Sequence, residues 1–214
     1  KAKKVMIDID KAELDKPNLR IDHKINIHLD NFFKEFKEHE RSLFVNNSSH
    51  KAYLDWCRKN VNELEVVEEK HHKSKKGVIN PYHFVSVLFD NLPKNANIIT
   101  GDGTAAVVTF KVAKLLNSHR LFTNKGCASM GYDLPAAIGA CLSYNKKKRV
   151  ICVAGDGSLM MNLQEIATMY YKDLPIKLFI LGNKGYHSIR QTQKNYFPDN
   201  PCGTSENDGL GLPD

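Results

Sequence analysis

No apolar run in the sequence approaches the roughly 18 residues that a membrane-spanning helix needs, so no membrane partner is expected. The first residues, Lys1-Ala2-Lys3-Lys4, lead into only a short apolar run, which argues against a secretory signal. The chain does not begin with Met and is read as a processed protein or an excised piece of a longer one. Cysteine is sparse. The five residues (57, 127, 141, 152, 202) are odd in number and form no CxxC pair. That pattern disfavours a disulfide framework or a zinc site and fits reduced thiols in the cytoplasm. His71 and His72 are adjacent and point apart on any regular element, so they make a poor metal pair. Charge of one sign is only modestly in excess, with 31 Lys+Arg against 24 Asp+Glu and a net charge of +7. The surplus sits in two short clusters, Lys70–Lys76 and Lys146–Arg149, of the kind that solvated loops carry. Nucleic acid is therefore not an expected partner. Apolar material is not scarce: 42% of 214 residues is enough for a core and excludes global disorder.

The chain changes character near residue 78. Residues 1–28 read as a short β remnant, Lys4–Asp10 and Lys24–His28, around a polar turn ending in Pro17, and suggest the end of a preceding domain. Residues 29–78 read as a charged helical linker. In it Leu29, Phe32, Phe33 and Phe36 share one helix face, and Tyr53 to Leu64 form a second helix. Residues 79–214 are regular. Asn80-Pro81 is a helix start with Asn as N-cap, and Phe84, Val87 and Leu88 form that helix's apolar face. Strands are expected at 97–100, 120–123, 150–154 and 176–181. Helices are expected at 104–116, 134–142, 159–171 and 188–195. The helix over 159–171 would present Leu163, Ile166, Ala167 and Tyr170 on one face, and 176–181 reads as a buried-type strand. Such alternation predicts an α/β fold, a parallel sheet with helices on both faces. Ligands in such folds sit beyond the carboxyl ends of the strands, here at residues 101–105, 155–158 and 182–187.

Gly155-Asp156-Gly157-Ser158 follows a strand and opens a helix. Its glycines let backbone N–H groups approach an anion, and the helix N-terminus adds positive partial charge. A carboxylate there is misplaced for a bare phosphate site but suited to a divalent cation lying between it and phosphates. Asn183 ends the next strand and offers a neutral side-chain oxygen, and Gly185 allows a bend that turns a backbone carbonyl inward. Such hard oxygen ligands, with phosphate oxygens and water, fill an octahedral Mg²⁺ shell. The plain alternative is a strand-to-helix turn with Asp156 as N-cap.

Together these residues resemble the signature of thiamine-diphosphate enzymes, with 24 residues (158–181) between the GDG and Gly182-Asn183. Ser129–Ala140 (SMGYDLPAAIGA) resembles the family's stretch upstream of that motif. Lys1–Pro17 resembles the end of its middle domain, and Gly209–Asp214 (GLGLPD) its continuation past the cofactor site. The closest flavour is the acetolactate synthase, pyruvate oxidase and decarboxylase branch. The resemblance implies the thiamin diphosphate-binding fold, cut short at its C-terminus, with thiamine diphosphate and Mg²⁺ as cofactors. It places Asp156, Asn183 and the Gly185 carbonyl on the metal. Gly155, Gly157 and Ser158 would lie on the diphosphate, as would Gly103, Thr104 and Ala105. Met130 would be the apolar wedge under the cofactor, where core packing is its bland role. The Ala128 carbonyl would accept a bond from the 4′-amino group, and Tyr186, His187 and Arg190 would lie toward the substrate.

The resemblance further implies decarboxylation of a 2-keto acid such as pyruvate and transfer of the acyl carbanion, in a homo-oligomer that is at least a dimer. No catalytic residue is assigned in this chain, because the family's essential Glu lies in an N-terminal domain. FAD binding would involve the middle domain and is not readable. Two departures stand out: Gly182 replaces the first Asn of the pair, and Ala105-Ala106 stand where many acetolactate synthases have Gln-His. Another decarboxylase, or a carboligase with a sugar or aldehyde acceptor, fits the same residues, as does a non-catalytic diphosphate-binding module. Gly101–Ala106 also formally fits a dinucleotide-binding GxGxxA, but Asn124 and Lys125 stand where that motif needs an acid.

Overall fold

The structure, a computed structural model, describes residues 2–43, 48–73 and 77–212. Residues 74–76 of the first basic cluster and the last two of the GLGLPD stretch lie outside the described residues. The chain divides into two compact units, Lys1–Leu64 and Glu65–Asp214.

In the first unit β1 (Val5–Asp8) and β2 (His23–Asn26) pair in parallel, from Val5 opposite His23 to Asp8 opposite Asn26. A parallel pair needs a crossover. The polar stretch between them is accordingly more than a turn, for it holds α1 (Lys11–Leu14). Asp10 starts this helix by accepting the Ala12 N–H at 2.8 Å, and Leu14 is its buried residue. On α2 (Leu29–Leu43) the Phe32 ring meets Phe33 and Phe36 at 5.5 and 5.8 Å, as one shared face requires. Leu29 and Phe33 remain exposed. On α3 (Ser48–Glu63) Tyr53 stacks on Trp56 at 5.9 Å.

The second unit opens with α4 (Glu69–His72) and α5 (Pro81–Asp90), where His71 stacks on Tyr82. Asn80 caps α5 by accepting the Tyr82 N–H at 2.9 Å. The sheet is fully parallel in the order β4 (Arg120–Phe122), β3 (Asn97–Thr100), β5 (Val150–Gly155), β6 (Ile176–Leu181). Strand alternation loads both faces. Ile99, Val150, Cys152 and Ala154 pack with Leu134, Ala137, Ile138 and Cys141 of α7 (Asp133–Ser143). Ile98, Ile151 and Val153 pack with Val85 and Phe89 of α5 and with Ala105, Val108 and Val112 of α6 (Gly103–Val112). Each large aliphatic side chain so buried stabilises the fold by about 1.5–3 kcal/mol. The chain runs from β3 outward to β4 and then back past β3 to β5. The order therefore reverses between β3 and β5, the switch point at which an open parallel sheet forms a crevice.

Three local expectations are corrected. The expected helix over 159–171 is broken into α8 (Asp156–Leu159), a 3-10 turn (Met160–Asn162) and α9 (Glu165–Tyr171). The Asn162 side chain donates to Gly131 O at 2.8 Å, a tertiary bond made where the helix breaks. Its inward face is Ile166 and Met169, while Tyr170 is 86% exposed. On α5 the fully buried positions are Val85 and Phe89; Val87 faces solvent. β6 is an edge strand among the described residues, so Ile180 is half exposed.

Candidate functional site

The carboxyl ends of β3, β5 and β6 open onto one cleft. It is lined by Gly103, Thr104 and Ala105 from the first turn of α6, by Gly155–Ser158 after β5, by Asn183, Gly185 and Tyr186 after β6, and by Met130. Of the residues singled out in the sequence, Ala128 and Arg190 stand outside this lining. Ala128 lies on the turn before Met130. It occupies a left-handed turn with φ 49°, its N–H bonded to Asn124 O at 2.8 Å. Asp102, Leu181, His187, Ser188 and Ile189 also line the cleft. Arg190 does not; its guanidinium donates to Asn183 O at 3.2 Å and so braces the turn after β6.

Asp156 is the anchor of the cleft. Its Oδ1 accepts the Gly157 N–H at 2.8 Å, and its Oδ2 accepts the N–H groups of Asn183 at 2.8 Å and Gly185 at 3.3 Å. One carboxylate thus ties the end of β5 to the end of β6. An ionised carboxylate accepts about four bonds, so room remains for a cation. Beside it the Asn183 Oδ1 is buried without any hydrogen-bond partner. An acceptor left in that state costs about 1–3 kcal/mol, and a hard cation would satisfy it. Among the described residues no three His, Cys, Asp or Glu side chains cluster to hold a metal. A cation here would need further oxygens from backbone and from a bound anion. The helix ends suit the anion: α6 and α10 (His187–Tyr196) begin in the cleft lining and lack side-chain caps, which leaves first-turn N–H groups free. The residues present therefore fit a divalent cation with a phosphate-bearing ligand.

Two supporting arrangements were invisible in the sequence. First, the Ser158 hydroxyl does not face the ligand space. It donates to Asp133 Oδ2 at 2.7 Å and accepts the Gly131 N–H at 3.0 Å. Burial pushes the Asp133 carboxyl above the usual range, while bonds from Ser158 and Leu134 pull it back. Burial, helped by the nearby Asp133 charge, also pushes the Cys152 thiol up. Second, the segment after α10 folds back against the turn that follows β6. Thr204 O accepts the Tyr186 N–H at 2.9 Å, and Gln193 clasps Cys202 through both its amide atoms. Asp208 holds this loop by accepting from the Thr204 hydroxyl and from the Thr204 and Ser205 N–H groups. Those bonds, the hydroxyl's first, lower its pKa. A depressed carboxylate contributes order above its unfolded pKa of about 3.9 and loses it as pH falls through the lower native value. Protection factors of the Thr204 and Ser205 amides should therefore hold from neutrality to about pH 4 and fall below it. Asp208→Asn should show the low-pH protection at neutral pH; amide exchange unaltered in that variant would rule the latch out.

Residues 99–213 match the model of the thiamine pyrophosphate enzyme C-terminal, TPP-binding domain. Acetolactate synthase 1, chloroplastic, of Nicotiana tabacum is 30% identical over 207 residues, covering 95% of this chain and 30% of that protein. The acetolactate synthase isozyme 1 large subunit of Escherichia coli (strain K12) is 34% identical over 116 residues, 54% of this chain and 20% of that protein. The thiamine diphosphate-dependent 4-hydroxybenzoylformate decarboxylase of Rhodococcus jostii RHA1 shares the fold, with a TM-score of 0.57 at 21% identity over 66% of this chain and 26% of that one. The chain thus spans about a third or less of the length of these relatives.

Proposed function

The chain belongs to the thiamine pyrophosphate enzymes, and we propose that it is the cofactor-holding part of an acetolactate-synthase-like enzyme. In that reading Asp156, Asn183 and the carbonyl of Gly185 would hold Mg²⁺, which would supply positive charge for a diphosphate. The substrate is a 2-keto acid, pyruvate first, and the acyl group passes to a second molecule. When bound, the thiazolium ring supplies an electron sink for decarboxylation. The chain's own residues do the holding. N–H groups at Gly103–Ala105 and at Ser158 would donate to diphosphate oxygens, while the Gly157 N–H stays on Asp156 and its lack of a side chain keeps the approach open. Met130, 38% exposed, forms an apolar wall of the cleft, and the Tyr186 ring lies against Gly157. His187 faces the same space and is the nearest candidate to meet substrate. No carboxylate here is assigned to the pyrimidine; we assign that role to a Glu on another domain, in an assembly of at least two chains. The five free cysteines agree with a reducing compartment such as the cytoplasm.

The observation that carries this reading is the orphaned Asn183 Oδ1 beside Asp156. Its test is thermal unfolding with thiamine diphosphate and Mg²⁺. Saturation near 100 times Kd should stabilise the protein by about 2.7 kcal/mol, and EDTA should remove the gain. Asn183→Ala should abolish the gain while leaving the ligand-free protein nearly as stable as before, since it deletes an acceptor that is already unpaired. A shift that survives EDTA, or that persists in Asn183→Ala, contradicts the metal bridge.

A further inference from the structure

We propose that Asp133 is a positioning residue of the cofactor site, holding the Met130 turn against the helix that carries the GDGS motif, and that Gly101 is its obligatory complement. The inference rests on the cofactor reading above. Asp133 is fully buried. Its Oδ1 accepts the Leu134 N–H at 2.9 Å, and its Oδ2 accepts the Ser158 hydroxyl at 2.7 Å. Ser158 in turn accepts the Gly131 N–H at 3.0 Å. The chain of bonds has one direction: Gly131 N–H to Ser158 Oγ, then Ser158 O–H to Asp133 Oδ2. Both partners of Asp133 are donors, so the site is built for a carboxylate and not for an amide.

The strand end leaves room for it. A Cβ on Gly101 would lie 2.2 Å from Asp133 Oδ2 and 3.1 Å from its Cγ. Any side chain at 101 must therefore push the carboxylate off Ser158. A carboxylate without a cationic partner is expensive to bury, which argues that this one serves more than packing. Its effect falls on one half of the cleft. Asp156 fastens the GDG turn to the end of β6 by its own three bonds. Asp133 instead acts through Ser158, whose hydroxyl it orients to accept the N–H of Gly131, next to Met130, while Asn162 donates to the same residue's carbonyl. Breaking the Asp133 tie frees the apolar wall and spares the diphosphate anchor.

That division sets the test, made on the full-length protein with two probes, Mg²⁺ with inorganic pyrophosphate and Mg²⁺ with thiamine diphosphate, titrated calorimetrically. Asp133→Asn places an amide N–H₂ against a donor whichever way it turns, or else reverses the Ser158 bond. It should leave the pyrophosphate Kd within about twofold and raise the thiamine diphosphate Kd by about tenfold or more, the scale seen for supporting residues around metal sites. Ser158→Ala removes only the hydroxyl that links Gly131 to Asp133 and keeps the backbone N–H, so it too should raise the thiamine diphosphate Kd far more than the pyrophosphate Kd. Gly101→Ala should reproduce the defect in wild type and add little in an Asp133→Ala background, a coupling that only contact between the two positions explains. Equal loss for both probes would make Asp133 a general prop and overturn the proposal, as would unchanged affinity for both. If wild type binds pyrophosphate but gains nothing from the thiamine portion, the functional reading falls as well, which separates the two failures. Should Asp133→Asn fail to fold, Ser158→Ala and the Gly101 pair decide the matter alone.

Discussion

Asp156→Ala is expected to abolish magnesium-dependent binding of thiamine diphosphate and to destabilise the protein before any ligand is added. The two effects have separate causes. Without the carboxylate a divalent cation beside Asn183 loses the one charged group that bonds the ends of both β5 and β6; the other carboxylate of the lining, Asp102, stands at the β3 side of the cleft. Independently, the N–H groups of Gly157, Asn183 and Gly185 lose their common acceptor. Each donor left buried and unmet costs about 1–3 kcal/mol, and bonds to an ionised acceptor lie toward the strong end. Water entering the opened turn would recover part of that. With three such donors and partial recovery by water, the expected net loss is several kcal/mol, on the order of 2–5. Asp156→Asn should be scarcely better. It can keep one oxygen for Gly157 or for the β6 turn, but its N–H₂ then faces donors on the other side. The contrast with Asn183→Ala is diagnostic: one candidate ligand already has three partners without metal, and the other has none at its buried oxygen. Chemical denaturation of the ligand-free variants measures it. Equal ligand-free stability for Asp156→Ala and wild type would refute the anchoring role.

How much of this was readable follows from what each signal encodes. The apolar run Val150–Ala154 and the glycines after it announce a buried strand feeding a tight turn, and parallel pairing then places every such turn on one edge of the sheet. That is why residues from 103 to 186 converge on a single cleft although their separation along the chain is large. Periodicity, by contrast, counts apolar side chains and ignores the polar ones. It joined 159–171 into one helix because Leu163 and Ile166 fit the spacing, whereas the Asn162 bond to Gly131 O accompanies a break there. It could not see β6 as an edge, since burial of a strand depends on how many neighbours it has. Asp133 reads as a helix opener, and nothing local says that its second oxygen turns toward a serine 25 positions later. The Thr204–Asp208 latch was hidden for the same reason: turn-forming residues mark a loop without saying what it presses against.

What that loop presses against is Gly185, and Gly185→Ala should therefore be among the most damaging conservative changes in the chain. Gly185 is buried with φ +126°, a region nearly closed to residues with a Cβ. A Cβ there would sit 2.1 Å from Thr204 O and 3.0 Å from its carbonyl carbon. Both are backbone atoms. They cannot swing aside, because Thr204 O holds the Tyr186 N–H and Asp208 holds Thr204 from below. Strained backbone at such a position costs about 1–3 kcal/mol, and overpacking adds about 1–3 more. Relief comes only by moving the turn from Asn183 to Tyr186, which carries the Gly185 N–H away from Asp156 and Asn183 out of register. Loss of metal-dependent cofactor affinity should then exceed the roughly 10–100-fold typical of disturbed supporting contacts. Gly182→Ala is the internal control. It lies in the same turn, on the exposed side, with nothing within 4 Å of its added Cβ, so cofactor affinity and unfolding midpoint should stay at wild-type values. If the two substitutions behave alike, the backing of the metal turn by the Thr204 loop is not what sets its geometry. If only Gly185→Ala fails, and trimming Asp208 to Ala partly restores it by letting the loop retreat, the loop is the wall against which the metal turn is formed.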